Sequence, residues 1–115
     1  MKKTLYGIPN CDTVKKARTW LADNGQEFAF HDFKKQGLDR ATVAHWLEEL
    51  DWETLVNRKG TTWRKLDAAL QARVTDAQAA RALMLEQPSV IKRPVVEWDD
   101  GRITVGFDEG EWARR

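Results

Sequence analysis

The feature that most constrains this chain is a change of hydrophobic period early in the sequence. "KTLYGI", residues 3 to 8, is short, apolar and bounded by Pro9-Asn10, and it reads as a buried strand. From Val14 the period lengthens: Val14, Ala17, Trp20 and Leu21 recur at helical spacing with Lys15, Lys16 and Arg18 between them, until "DNG" at 23 to 25 supplies a stop. "EFAFHDF", residues 27 to 33, is aromatic and alternating, and reads as a second strand. Only the helix joins the two strands, so they are expected to lie parallel, linked by a right-handed crossover.

The rest of the chain extends this start. After "KKQG", Asp39 is placed to cap a helix whose stripe is Val43, Trp46, Leu47 and Leu50. Between 51 and 74 the pattern is irregular and reads as a turn of helix, a basic loop around "NRKGTTWRKL" and another short helix. Thr75 is expected to cap a helix with Ala79, Ala80, Leu83 and Met84 on one face, ending before "QPSV". "VVEW" and "RITVGF", separated by Asp99-Asp100-Gly101, carry a strong hairpin signal. Asp108 is placed to cap a final short helix, with arginines near its C-terminal end. The order predicts an α/β fold, a thioredoxin-like (glutaredoxin-like) mixed sheet with a helical insertion. With 115 residues, a single domain over 1–115 is expected, the insertion spanning roughly 38–87.

Composition excludes several classes of function. Charged residues make up 32% of the chain, yet the net charge is +1, so no field for nucleic acid or an anionic membrane is implied. The start "MKKTLYGIPN" has two lysines, but its apolar run stops at Ile8, short of the about 7–15 residues of an export segment. No stretch approaches the ~20 apolar residues of a membrane span. Six tryptophans read as core residues, because aromatics are the largest sources of burial energy. His31 and His45 have no metal-ligand spacing, and no glycine-rich phosphate loop is present, so neither a metal nor a bound cofactor is expected.

The one cysteine, Cys11, cannot form an internal disulfide, which suits a reducing compartment; the cytoplasm is the expected location. It stands where the first strand gives way to the helix, near unpaired backbone N–H groups and the positive end of the helix dipole. That position favours the thiolate, the nucleophilic form of the side chain. Lys15, one turn on, adds to this and Asp12 opposes it. The competing reading is a small buried filler, as free cysteines often are. A filler would more naturally lie on the stripe with Val14 and Ala17, whereas Pro9 and Asn10 hold Cys11 at an edge. A "CxxC" pair would need its second cysteine at position 14, which is Val14, so any mixed disulfide must be cleared by an external thiol, glutathione being the abundant cytosolic candidate. Arg58 and Arg93 are singled out because arginine offers a permanent charge and a forked donor for oxyanions and carboxylates. Arg93 also precedes Pro94 at a strand start, where a cis peptide bond would fix its direction.

"YGIPNCDTVKKARTWL", "NRKGTTWRKL", "IKRPVV" and "VGFDEGEW" together resemble the arsenate reductase/Spx family of thioredoxin-fold proteins, specifically its YffB-like branch, across nearly the whole chain. The resemblance implies a nucleophilic Cys11, with Arg93 before a cis-Pro94 facing its sulfur. It implies polar contacts from Asn10 and Thr13 and a substrate- or glutathione-binding role for Arg58, although Asn57 could instead occupy that family position. It implies a glutathione-dependent monothiol reductase, with a small-molecule or protein disulfide as substrate, and a monomer is expected. Two alternatives stay open: an arsenate reductase using the same cysteine, and a non-catalytic Spx-like regulator. The arsenate reductases use three arginines. The third has no counterpart here, since Arg102 comes too early and Val105 and Gly106 stand near its place. A missing charged donor weakens oxyanion binding by ~1.5–3 kcal/mol. Spx-type regulators often carry "CxxC", which Val14 breaks.

Overall fold

The structure, a computed structural model, describes residues 3–115. In chain order its elements are β1 (Lys3–Gly7), α1 (Asp12–Asp23), β2 (Phe28–Asp32), α2 (Arg40–Glu49), α3 (Trp52–Leu55), α4 (Thr61–Arg64), α5 (Ala68–Arg73), α6 (Ala77–Glu86), a 3-10 turn at Pro88–Val90, β3 (Val95–Glu97), β4 (Ile103–Val105) and α7 (Glu109–Ala113). They fall into two compact units, one running through Gln36 and resuming at Arg93–Arg115, the other Gly37–Lys92. No helix among the described residues is long and apolar enough to cross a membrane.

The first unit is a four-stranded sheet in the order β2-β1-β3-β4. β1 and β2 are parallel, as a helical crossover requires, and β3 runs antiparallel to both β1 and β4. This is the mixed sheet of the thioredoxin-like class. Leu5 and Val96 face each other across β1 and β3, and pack with Val14, Ala17 and Leu21 of α1 and with Trp98 and Trp112 into one core. Trp112 anchors it: the rings of Trp20, Trp98 and Phe107 meet it edge-on at 5.7, 5.0 and 4.7 Å. Trp98 stays satisfied while buried because its indole N–H donates to Thr104 Oγ1 at 2.8 Å. The β3–β4 connection turns at Gly101, whose φ of +88° is cheap only for glycine. At the same end of the sheet, Lys3 at the start of β1 is buried, its ammonium held by Asp99 of that connection at 3.2 Å and by the Glu27 carbonyl at 3.4 Å.

In the second unit Asp39 caps α2 by accepting from Thr42 N at 2.7 Å, and Val43 and Trp46 are buried, while α2 packs on α6. Two local expectations are corrected. The cap of α6 is Asp76 and not Thr75, because the Asp76 carboxylate reaches Ala79 N at 2.8 Å. The stretch read as a basic loop contains a third short helix between the two expected there, α4, opened by Gly60 in an extended conformation and too short to show a period. The segment after α3 is tied to the C-terminal end of the unit by an antiparallel bridge between Val56 and Ile91, flanked by Asn57 N to the Val90 carbonyl (2.8 Å) and Lys92 N to the Leu55 carbonyl (2.7 Å).

Candidate active site

Strand direction decides what can meet. With β2 parallel to β1, β3 antiparallel to β1, and β4 antiparallel to β3, the C-terminal ends of β1, β2 and β4 and the N-terminal end of β3 lie at one end of the sheet. That end gathers Gly7 through Cys11, Asp32 through Gln36, Arg93-Pro94 and Gly106.

Cys11 is the N-cap residue of α1. Its backbone is extended (φ −146°, ψ 121°), and its carbonyl accepts the first helical bond, from Lys15 N at 2.9 Å. Its side chain makes no capping hydrogen bond, so the sulfur is not spent on the helix. The thiol is free and half-buried, packed against the rim of the Leu5–Val14 core. It therefore touches the core without belonging to it, as the strand-to-helix break implied. Asn10 and Thr13 flank it, both exposed.

The helix start is held close to the strand. A Cβ placed on Gly7 would lie 2.8 and 3.2 Å from the two methyl groups of Val14, so only glycine lets the end of β1 and the first turn of α1 approach this way. Gly7 also accepts a hydrogen bond from Phe33 N at 3.1 Å, which fixes the chain beyond β2.

The Arg93–Pro94 peptide is cis. Pro94 is buried, its carbonyl accepts from Gly106 N at 2.8 Å, and the Arg93 Nε is itself buried. Sheet topology brings Arg93 and Pro94 to the same end as Cys11. Gly106, close to the expected place of a third arginine, has φ +87°, a conformation that an arginine adopts only with strain.

Arg58 belongs to the second unit and is exposed. Its guanidinium pairs with Glu53 at 3.1 Å and lies 5.5 Å from the Trp52 ring centre. Asn57 serves the turn itself: its Oδ1 accepts from Lys59 N at 3.2 Å, and a Cβ on Gly60 would meet its Nδ2 at 2.9 Å.

Sequence reasoning passed over the turn after β2. Asp32 Oδ1 accepts from Lys34 N (3.1 Å) and Lys35 N (3.2 Å), and Gln36 closes the loop with its side-chain oxygen on Asp32 N (2.9 Å). The signal was present. A strand parallel to β1 has to deliver its following turn to the same end as Cys11.

The ArsC family model matches residues 6–114. A solved structure of a YffB protein is 50% identical, covers 98% of this chain and 97% of its own, and superposes with a TM-score of 0.92. The solution structure of an arsenate reductase (ArsC) related protein from Brucella melitensis is 51% identical over 99% of this chain and 93% of its own, with a TM-score of 0.78. A more distant relative, the global transcriptional regulator Spx of Streptococcus pyogenes, is 27% identical over 94% of this chain and 80% of its own length. With the fold, the strand-to-helix cysteine and the cis-proline in place, the chain belongs to the ArsC family, in its YffB-like branch.

Proposed function

We propose that this protein is a cytosolic monothiol reductase in which Cys11 forms mixed disulfides that glutathione resolves. The observation that carries the reading is the placement of Cys11, the one cysteine in the chain, as an N-cap residue whose sulfur does no capping. The Cys11 thiolate attacks a substrate disulfide; one new S–S bond forms, the old one breaks, and one half of the substrate leaves as a thiolate. A glutathione thiolate then attacks the mixed disulfide at the Cys11 sulfur, releasing the second half of the substrate as a thiolate and leaving glutathione on Cys11. A second glutathione thiolate attacks the glutathione sulfur of that adduct, returning Cys11 as thiolate and forming oxidised glutathione, so that two glutathione molecules supply the two electrons. Arg93, at the same end of the sheet, is assigned to stabilising the anionic sulfur species, with Asn10, Thr13, Pro94 and Arg58 assigned to binding substrate or glutathione.

The test is incubation with oxidised glutathione at neutral pH, followed by mass spectrometry. Rapid addition of one glutathione to Cys11 is expected, with loss of both the adduct and disulfide-reductase turnover in Cys11→Ser. Turnover that survives in Cys11→Ser, or labelling of Cys11 no faster than that of a cysteine in an unfolded peptide, refutes the proposal. Arsenate reduction ranks below this reading because Val105 and Gly106 stand where a third oxyanion-binding arginine is expected.

A further inference from the structure

Beside the cysteine lies a cleft of about 420 Å³ lined by Ile8, Pro9, Asn10, Asp32, Lys34 and Lys35. Its volume falls within the range of small-molecule sites, roughly 300–1,000 Å³. Every lining residue comes from one of two segments: the loop that leads into Cys11 and the turn after β2. The hydrogen bond from Phe33 N to the Gly7 carbonyl joins these segments, and Phe33 is fully buried, so the turn is pinned from below. The turn holds its shape through backbone donors. Lys34 and Lys35 give their N–H groups to Asp32 Oδ1, which leaves both exposed ammonium groups outside that network.

The cleft thus presents two cations and a carboxylate side by side, one residue from the thiol. A simple anion would be drawn to the lysines and repelled by Asp32. A zwitterionic group, with an α-carboxylate and an α-ammonium on one carbon, suits all three. We infer that this cleft binds the γ-glutamyl end of glutathione, with Lys34 and Lys35 taking the α-carboxylate and Asp32 the α-ammonium. The reach is right: three residues extend to roughly 10 Å, and Asn10, which lines the cleft, directly precedes Cys11. The inference rests on the glutathione-dependent reading above and names the part of the chain that would recognise the co-substrate.

The experiment uses S-methylglutathione, which has no thiol, so binding is read independently of chemistry. Titration into isotope-labelled protein is expected to shift the amide signals of Asn10, Lys34 and Lys35. Affinity is expected to fall about five- to tenfold in Lys34→Ala/Lys35→Ala, and by a similar factor for the dimethyl ester of the probe, the size of a partly exposed ion-pair contact. N-acetylation of the probe is expected to weaken binding several-fold. The double substitution keeps both backbone donors, so the turn is retained. Absence of shifts at Lys34 and Lys35, or equal affinity for the probe and its ester, overturns the inference, and undiminished binding of the N-acetyl probe overturns the γ-glutamyl assignment. Failure here is distinct from failure of the proposed function. A protein that binds the probe but forms no mixed disulfide loses the chemistry and keeps the cleft, and the reverse result loses only the cleft.

Discussion

Replacing Gly7 by alanine tests the tightest approach in the site. The added Cβ would stand 2.8 Å from one Val14 methyl, 3.2 Å from the other and 3.6 Å from the Val14 Cβ. The first distance is far inside van der Waals contact. Val14 cannot swing aside, because it is fully buried and a β-branched side chain in a helix has one strongly preferred rotamer. Overpacking of this kind costs ~1–3 kcal/mol, and removing a glycine from a strand returns about 0.4–1 kcal/mol through the unfolded chain. Net destabilisation of about 1–2 kcal/mol is therefore expected. Val14→Ala alone costs ~1–3 kcal/mol by loss of buried methyls and the cavity left behind. In the double variant the closest remaining contact is the 3.6 Å one, an ordinary distance, so the two losses should fail to add by about 1–2 kcal/mol. Urea unfolding of the four proteins gives that coupling directly. Alkylation of Cys11 should also change in Gly7→Ala and recover in the double variant, since the displaced turn is the one that Cys11 caps. A Gly7→Ala protein as stable as the parent, or strictly additive losses, refutes the close-packing argument.

Two further predictions follow from the same kind of accounting. Asp76→Ala should cost about 1 kcal/mol of stability through loss of the α6 cap, while Thr75→Ala should change it by less than about 0.5 kcal/mol; equal effects in thermal unfolding refute the assignment of the cap to Asp76. Lys3 is buried with its charge answered by Asp99, so Asp99→Ala, which leaves the ammonium without a counter-charge and with only the Glu27 carbonyl at 3.4 Å, should destabilise by ~1–3 kcal/mol, whereas Lys3→Met should stay within about 1 kcal/mol of the parent. Chemical denaturation checks the pair, and a Lys3→Met loss larger than that of Asp99→Ala refutes it.

What the sequence made legible was what is local. The switch from an apolar run to the Val14–Leu21 stripe placed Cys11 at the strand-to-helix edge, and the Asp-Gly signal located the hairpin, because each depends on residues a few positions apart. Asp39 and Asp108 were readable as caps for the same reason. Thr75 and Asp76 are both competent caps in adjacent positions, and pattern alone does not choose between them; the reach of the Asp76 carboxylate to Ala79 N does. Helix α4, only four residues long, has no period to detect. The Asp32–Gln36 turn was overlooked although its residues are distinctive, because its nearness to Cys11 follows from strand pairing and not from sequence distance. Family membership was legible in four motifs spread over the chain, which together are far more specific than one cysteine.

Gly7 explains how one thiol can be held in a defined setting without a second cysteine beside it. Its missing side chain lets the Val14 turn close onto β1, and its carbonyl holds Phe33 and with it the turn carrying Lys34 and Lys35. The start of the helix that Cys11 caps and the charged turn beside it are thus both referenced to one backbone position. Movement of either segment relative to the other requires breaking a buried contact or a hydrogen bond at that residue. On the proposed reading, in which the partner thiol comes from solution, geometry that a "CxxC" motif sets within the chain has to be supplied by how the incoming molecule is seated. A fixed spacing between the sulfur and the groups that would seat it is what makes that possible.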